Sequence, residues 1–286
     1  MLIRRKREGM SQANPRVLPG YRLSISFTLL YLSVLVIIPL GVCVVTATQL
    51  SWDQFRAAVW TERARAAYAL TFGASLAAAC ISAVLGLLIA WVLVRYEFPG
   101  RRIVDALVDL PFALPTAVAG LVFSNLYVAN GWLGRFLVPL GVEGAYSRLA
   151  VVLVLVFIGF PFVVRTLQPV LAALDGEAEE AAALLGASRW QTFRRVTFPT
   201  LLPGLLTGFA LAFARGLGEY GSVVFVSGNM PFKTEIAAFL IVSRLEEGGP
   251  NSYREATAIA TVLLCASFLM LVFINRLEAR SRKWSG

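Results

Sequence analysis

Of the 286 residues, 58% are hydrophobic and only 15% charged, with a mean hydropathy of +0.72, which is more apolar surface than a soluble fold of this length can hide. The 26 Lys and Arg against 17 Asp and Glu give a formal charge of +9, but these cations are spread between apolar segments and do not form the patch that nucleic acid would need. There is no histidine, which excludes a histidine proton relay or histidine metal site, and no credible nucleophile and base pair is evident.

Residues 1–22 read as a tail, because Gly9, Pro15, Pro19 and Gly20 interrupt any helix. Runs without Asp, Glu, Lys or Arg then cover 23–52, 66–94, 110–134, 149–164, 196–214 and 256–275. One crossing of a hydrocarbon core roughly 30 Å thick needs about 20 helical residues at roughly 1.5 Å each. Five of the six runs approach or exceed that length. The sixth, 149–164, is bracketed by Arg148 and Arg165, whose long stems can run along the helix to the interface. The chain is therefore expected to be an all-α integral membrane protein of about six transmembrane helices, at about 23–48, 67–94, 104–129, 148–169, 200–226 and 255–276. A tail, 277–286, follows. The first run is far too long for the apolar core of a cleavable signal peptide and reads as a retained span.

Residues 52–65 set apolar Trp52, Phe55, Val59 and Trp60 against Asp53, Arg56, Glu62, Arg63 and Arg65. They suit a short interfacial helix or a polar connection with aromatic anchors. At the start of the third span, Asp105 and Asp109 lie near Arg101 and Arg102 and read as an interfacial network with the arginines as counter-charges. That span holds Pro111 and Pro115 in LPFALPTAVAG, and the fourth holds Pro161 in IGFPF. Each proline removes a backbone donor, which fits either the bent helices of a transport path or static kinks. Arg215 and Glu219 share one face of the fifth span and can neutralise each other, with Gly216, Gly218 and Gly221 allowing close helix approach. Two readings stay open: a pathway or gate, with Tyr220, Ser222 and Ser227 beside it, or a structural ion pair at an interface. Cys43, Cys80 and Cys265 sit in three different apolar runs and are expected to be small buried hydrophobes.

The longest polar interruption between the fourth and fifth spans is LAALDGEAEEAAALLGASRWQTFRRVTFPTLLP, 171–203. Asp175 is a plausible N-cap for the acidic, alanine-rich helix over 177–185, and Gly186 fits the left-handed position that ends it. A second helix can start after Ser188, carry Arg189, Arg194 and Arg195, and end before Pro199. The product is a compact helix–turn–helix knob suited to a groove on a partner. Glu180, Ala181, Ala182, Gly186, Val196, Phe198 and Pro199, at their spacing, resemble the EAA loop of ABC importer permeases. Val196 and Phe198 stand where Ile and Leu are usual in that family.

The stretches FARGLGEYGSVVFVSGNMPFKTE and DLPFALPTAVAGL resemble those of sulfate and molybdate permeases, within them the T-subunit family of sulfate/thiosulfate importers. The resemblance implies a type I (MetI-like) permease bundle over 23–276, with 171–199 as the coupling loop, and a role in moving sulfate or thiosulfate. Glu180, Ala181, Ala182, Gly186, Arg189 and Pro199 would then meet the ATPase. It further implies a second homologous permease subunit, two ATP-binding subunits and a periplasmic sulfate-binding protein, in the inner membrane of a bacterium. The polar stretches are too short for an ATPase domain, so no catalytic residue and no bound cofactor are expected in this chain, and ATP belongs to the partners. A molybdate or tungstate permease is the alternative. A stand-alone channel or carrier is disfavoured by the coupling knob and by the lack of inverted repeats.

If the amino terminus is cytoplasmic, 17 cations lie in inner segments and 8 in outer ones, with Arg215 inside a span. This asymmetry places both termini in the cytoplasm. In a background freed of the three native cysteines, Gly248→Cys should react with an impermeant thiol reagent added outside, and Ser188→Cys should not. The opposite labelling pattern would overturn the orientation.

Overall fold

The computed structural model describes residues 20–174 and 176–282, and every regular element among them is helical. Residues 1–19 of the expected tail 1–22 and the expected N-cap Asp175 lie outside the described residues, and the last two residues of that tail already belong to the first helix. In chain order the elements are α1 Tyr21–Ala47, α2 Trp52–Val59, α3 Glu62–Arg95, α4 Arg101–Val108, α5 Leu110–Ala113 and α6 Thr116–Tyr127. After two short helical turns, Gly134–Leu137 and Val138–Leu140, there follow α7 Arg148–Ala172, α8 Gly176–Leu184, α9 Arg189–Leu217, α10 Val223–Val226, α11 Ala237–Glu246 and α12 Ser252–Arg282. Among the described residues, five helices (α1, α3, α7, α9 and α12) are long and apolar enough to cross a membrane.

Local chemistry sets these ends. Ser51 and Gln54 form a reciprocal capping box at α2, Thr61 accepts from the Ala64 N–H at α3, and Ser147 accepts from the Ala150 N–H at α7. Two π-turns, Ser33–Ile37 in α1 and Phe193–Thr197 in α9, each lie just before a proline, Pro39 and Pro199. Widening the turn removes the clash between the proline ring and the carbonyl four residues back. The second helix of the knob therefore does not end before Pro199 as expected; it runs on without a break into the fifth apolar run.

The third and fifth runs differ most from the spans expected at 104–129 and 200–226. The third is three pieces, α4, α5 and α6. Leu114, at ψ 132, is extended because Pro115 follows it, and Pro115 sits at the N-cap of α6. Pro115 thus breaks the helix, Pro111 starts α5, and Pro161 lies within the unbroken α7. The fifth run ends its long helix at Leu217, and residues 218–222 separate it from α10.

The core is the mutual packing of α3, α7 and α9. Along α3 the buried positions are small, among them Ala67, Thr71, Ala74, Ala78, Ser82, Gly86 and Ala90, recurring at helical spacing. Small residues allow the close backbone approach through which apolar helices associate in lipid. A Cβ on Gly86 would lie 2.7 Å from the Val163 side chain. Leu167, Leu171 and Leu201 pack in the half of the bundle nearest α8, with Phe213 further along α9 in the same cluster, while Val151, Val154, Val223 and Ile236 fill the opposite half. α1 packs only by its second half, on α12, and exposes Leu23, Phe27 and Leu30 along its first half. Cys43 is half-buried and Cys80 and Cys265 are exposed, so the expectation of buried cysteines is corrected: two of them face outward from the bundle.

Gly208 gives the packing its sharpest test, because an added Cβ would fall 2.8 Å from the Val163 backbone and would collide with the Thr166 hydroxyl. Gly208→Val should therefore force α7 and α9 apart, at a cost of about 1–3 kcal/mol. Thermal unfolding of the purified protein in detergent should show a lowered midpoint. Gly73→Ala, where nothing lies within 4 Å of the new carbon, should not lower it.

Candidate functional site

Two broken helices meet inside the bundle. Where α9 stops, Arg215 Nη1 lies 2.7 Å from Glu219 Oε2, with the Glu219 side chain 2% exposed and that of Arg215 34%. The other carboxylate oxygen, Oε1, accepts from the Ser222 N–H and hydroxyl, each at 2.8 Å. Glu219 thus bridges the break, joining the last turn of α9 to the start of α10. The break rests on the start of α6. A Cβ on Gly120 would meet the Ser222 backbone, and one on Gly221 would collide with the Thr116 hydroxyl. Gly216 lies close to Ser75, but Gly218 meets only the Ala214 carbonyl of its own helix, so the expected close approach applies to Gly216 and Gly221 and not to Gly218.

The sequence candidates Pro115, Arg215, Glu219, Gly221 and Ser222 are therefore brought into one region, with Tyr220 half-buried beside them. Ser227 is buried further along, where its hydroxyl and the Asn229 N–H and side chain close the turn after α10. Beyond that turn the Met230 carbonyl accepts from three successive N–H groups, ending at Glu235. Glu235, its side chain 1% exposed, accepts from Arg63 Nε at 2.8 Å and Nη2 at 2.6 Å. This bidentate pair ties the start of α3 to the loop before α11. Sequence reading missed it, since the partners are 172 residues apart, and a charged residue closing a glycine-rich loop was the one available signal.

The second region is the knob. Gly186 has φ +82, the left-handed turn that its spacing predicts, and Ser188 and Gln191 form a capping box at the start of α9. The acidic residue that anchors the knob is Glu179: it pairs with Arg95 at the end of α3 at 2.9 Å and accepts from the Thr197 hydroxyl at 2.9 Å. Glu180, Ala181 and Arg189 are exposed and Ala182 half-buried. Trp91, Trp190 and Phe198 surround Phe193, and Arg95 lies over the Trp91 ring. Outward, Leu184 and Leu185 are each 89% exposed at the tip, a bare apolar pair that a partner could cover.

At the knob end, Asp105 and Asp109 form a network, but the counter-charge differs from expectation. Arg165, at the end of α7, donates to Asp105 at 2.7 Å and to Asp109 at 2.6 and 2.7 Å, while Gln168 also donates to Asp105. Arg101 and Arg102 make no ion pair with either carboxylate among the described residues.

The geometry at Glu219 yields a graded test. Glu219→Ala would leave the buried Ser222 N–H and hydroxyl without their acceptor, at about 1–3 kcal/mol. Glu219→Gln keeps an acceptor for Ser222 and should destabilise less. Thermal midpoints should fall in the order unmodified, Gln, Ala; an alanine variant as stable as the unmodified protein would show that the bridge contributes nothing.

The comparisons with known proteins fit this geometry. A permease from Nephroselmis olivacea named as a probable sulfate transport system permease protein cysT is 51% identical over 91% of this chain and 91% of its own. The sulfate transport system permease protein CysT of Salmonella typhimurium is 46% identical over 95% of this chain and 97% of its own. Among solved structures, a bacterial ABC transporter involved in import of the acidic polysaccharide alginate superposes with a TM-score of 0.73 at 18% identity, covering 91% of this chain and 96% of that one. The MetNI methionine ABC transporter gives 0.57 at 17% identity over 81% and 99%. Both likenesses concern the fold alone. Residues 82–283 match the family model of the inner membrane component of binding-protein-dependent transport systems, and with half the residues of the curated permeases shared along nearly the whole chain, this protein belongs to that family of multi-pass inner membrane permeases.

Proposed function

We propose that this chain is the T-type permease subunit of an ATP-driven importer that carries sulfate or thiosulfate across the inner membrane. The observation that carries the substrate is the 46–51% identity, along about nine-tenths of the chain, to permeases that name sulfate rather than molybdate or tungstate. In this reading both termini are cytoplasmic. The chain pairs with a second, homologous permease, two ATP-binding subunits seat on the knob, and a periplasmic binding protein delivers the anion to the opposite face. It binds no cofactor and hydrolyses nothing itself.

The structure supplies a physical route for coupling. α9 is one helix of 29 residues, about 43 Å at roughly 1.5 Å per residue, from the knob to the break at 218–222. Its first turns are fixed to α3 through Glu179, Arg95 and the aromatic cluster around Phe193. A displacement of the knob by the ATP-binding subunits is therefore delivered along one rigid element to the place where the two broken helices meet. Arg215 is the cation inside that region and Glu219 largely neutralises it, so passage of an anion there is weakly held. That suits release.

The test is uptake of labelled sulfate and molybdate by the complex reconstituted with all partner subunits in liposomes. Uptake of molybdate without sulfate would reject the substrate. Gly186→Val, which has free space but the wrong side of φ, costs about 1–2 kcal/mol at a left-handed position. It should lower uptake severalfold and loosen ATPase copurification while membrane insertion persists. Uptake and copurification equal to the unmodified complex would remove Gly186 from coupling.

A further inference from the structure

At the knob end of the bundle, away from the broken helices, a cavity of about 510 Å3 opens between the ends of α3 and α7 and the first turn of α4. Leu93 and Pro169 give it an apolar wall, and Arg101, Arg102, Asp105 and Gln168 give it a polar one. The polar groups are not equivalent. Asp105 is committed to Arg165 and Gln168, and the Gln168 carbonyl accepts from Arg165 at 2.6 Å. The Arg101 and Arg102 side chains have no hydrogen bond or ion pair among the described residues, and Glu97 in the connection before α4 pairs with neither. Arg165 is matched by two carboxylates, Asp105 and Asp109, so with Arg101 and Arg102 the cluster has one uncompensated positive charge.

The other side of α4 is apolar and bare: Ile103 is 67% exposed, Leu107 55% and Val104 40%. A short helix with free arginines on one side and exposed aliphatics on the other matches an amphiphile with a single negative charge. A free tetrahedral dianion matches less well, since it brings two negative charges to a cluster with one in excess and gains nothing from the aliphatic flank.

We propose that this cavity seats the phosphodiester of an anionic phospholipid, held by Arg101 and Arg102, with acyl chains along Ile103, Val104 and Leu107. Its assignment to the cytoplasmic leaflet rests on the orientation proposed above; the site itself does not. An occupied site would brace α4 against α7 one turn from where α7 passes into the knob.

The test is native mass spectrometry of the detergent-purified complex with its partner subunits, offered phosphatidylglycerol or phosphatidylcholine of equal chain length. Phosphatidylglycerol should be retained about tenfold or more over phosphatidylcholine, given the worth of two arginines near a charged headgroup. The pair Arg101→Ala and Arg102→Ala should lose that preference, and the pair Arg101→Lys and Arg102→Lys should keep most of it. Equal retention of the two lipids, or an undiminished preference in the alanine pair, would overturn the site. Displacement of phosphatidylglycerol by millimolar inorganic sulfate or phosphate would overturn the lipid and assign the arginines to a free oxyanion. If the alanine pair does not assemble, the comparison of the two lipids on the unmodified complex decides. Because occupancy and not transport is read, failure here leaves the importer reading untouched.

Discussion

A backbone N–H or carbonyl without a partner in hydrocarbon costs several kcal/mol, so a lipid-buried chain has to satisfy its own backbone within each segment or against neighbouring protein. That constraint accounts for the long unbroken helices α3, α7 and α12, and it makes the two interruptions informative. The breaks at 114–115 and 218–222 are not spread at random along the bundle; Gly120 lies against the Ser222 backbone and Gly221 against Thr116, so each break covers the other. Glu219 supplies the acceptor that the Ser222 N–H lacks at the start of α10. A pair of discontinuous helices can exist in this environment because they were placed together.

The same environment removes the usual reason for helices to associate, since lipid tails are as apolar as leucine. What remains is close packing and a few polar ties. The small residues along α3, with Gly159, Gly208 and Gly216 facing them or each other's helices, bring α3, α7 and α9 to near-backbone contact. The polar ties lie at the ends: Arg63 with Glu235 at one, Arg95 with Glu179 and Arg165 with the two aspartates at the other. They hold loops to helix ends where water is near; inside the bundle the Arg215, Glu219 and Ser222 contacts stay within one stretch of chain, and the long helices are joined there mainly by packing.

How much of this was legible in the sequence follows from the range of each interaction. Apolar run length, the turn at Gly186 and the capping Ser188 are local properties, and local propensity reports them faithfully. Pro115 was legible as a disturbance but not as a full break, because whether a proline bends or breaks a helix depends on what covers the freed carbonyls, and that cover comes from residues about a hundred positions later. Pro199 misled in the opposite sense: a π-turn absorbs it, and the helix continues. Partner choice was the least legible. Asp105 has Arg101 and Arg102 close in sequence yet makes its close ion pair with Arg165, 60 residues on, because α7 brings that guanidinium within 2.7 Å of the carboxylate. Glu179, not the neighbouring Glu180 of the recognised motif, anchors the knob, since it faces the end of α3.

Motion passes between distant sites through rigid elements with few places to bend, and α9 is such an element only because the π-turn at Phe193–Thr197 keeps it continuous past Pro199. Had the helix ended there, no single element would join the knob to the break at 218–222. The polar ties at Glu179 and the aromatic packing around Phe193 then take up the remaining freedom at the knob end. At its far end the continuity of α9 stops, and Glu219 spans the interruption at 218–222 with three contacts, one to Arg215 and two to the Ser222 N–H and hydroxyl. One carboxylate thus closes both sides of the interruption, its Oε2 on the last turn of α9 and its Oε1 on the start of α10.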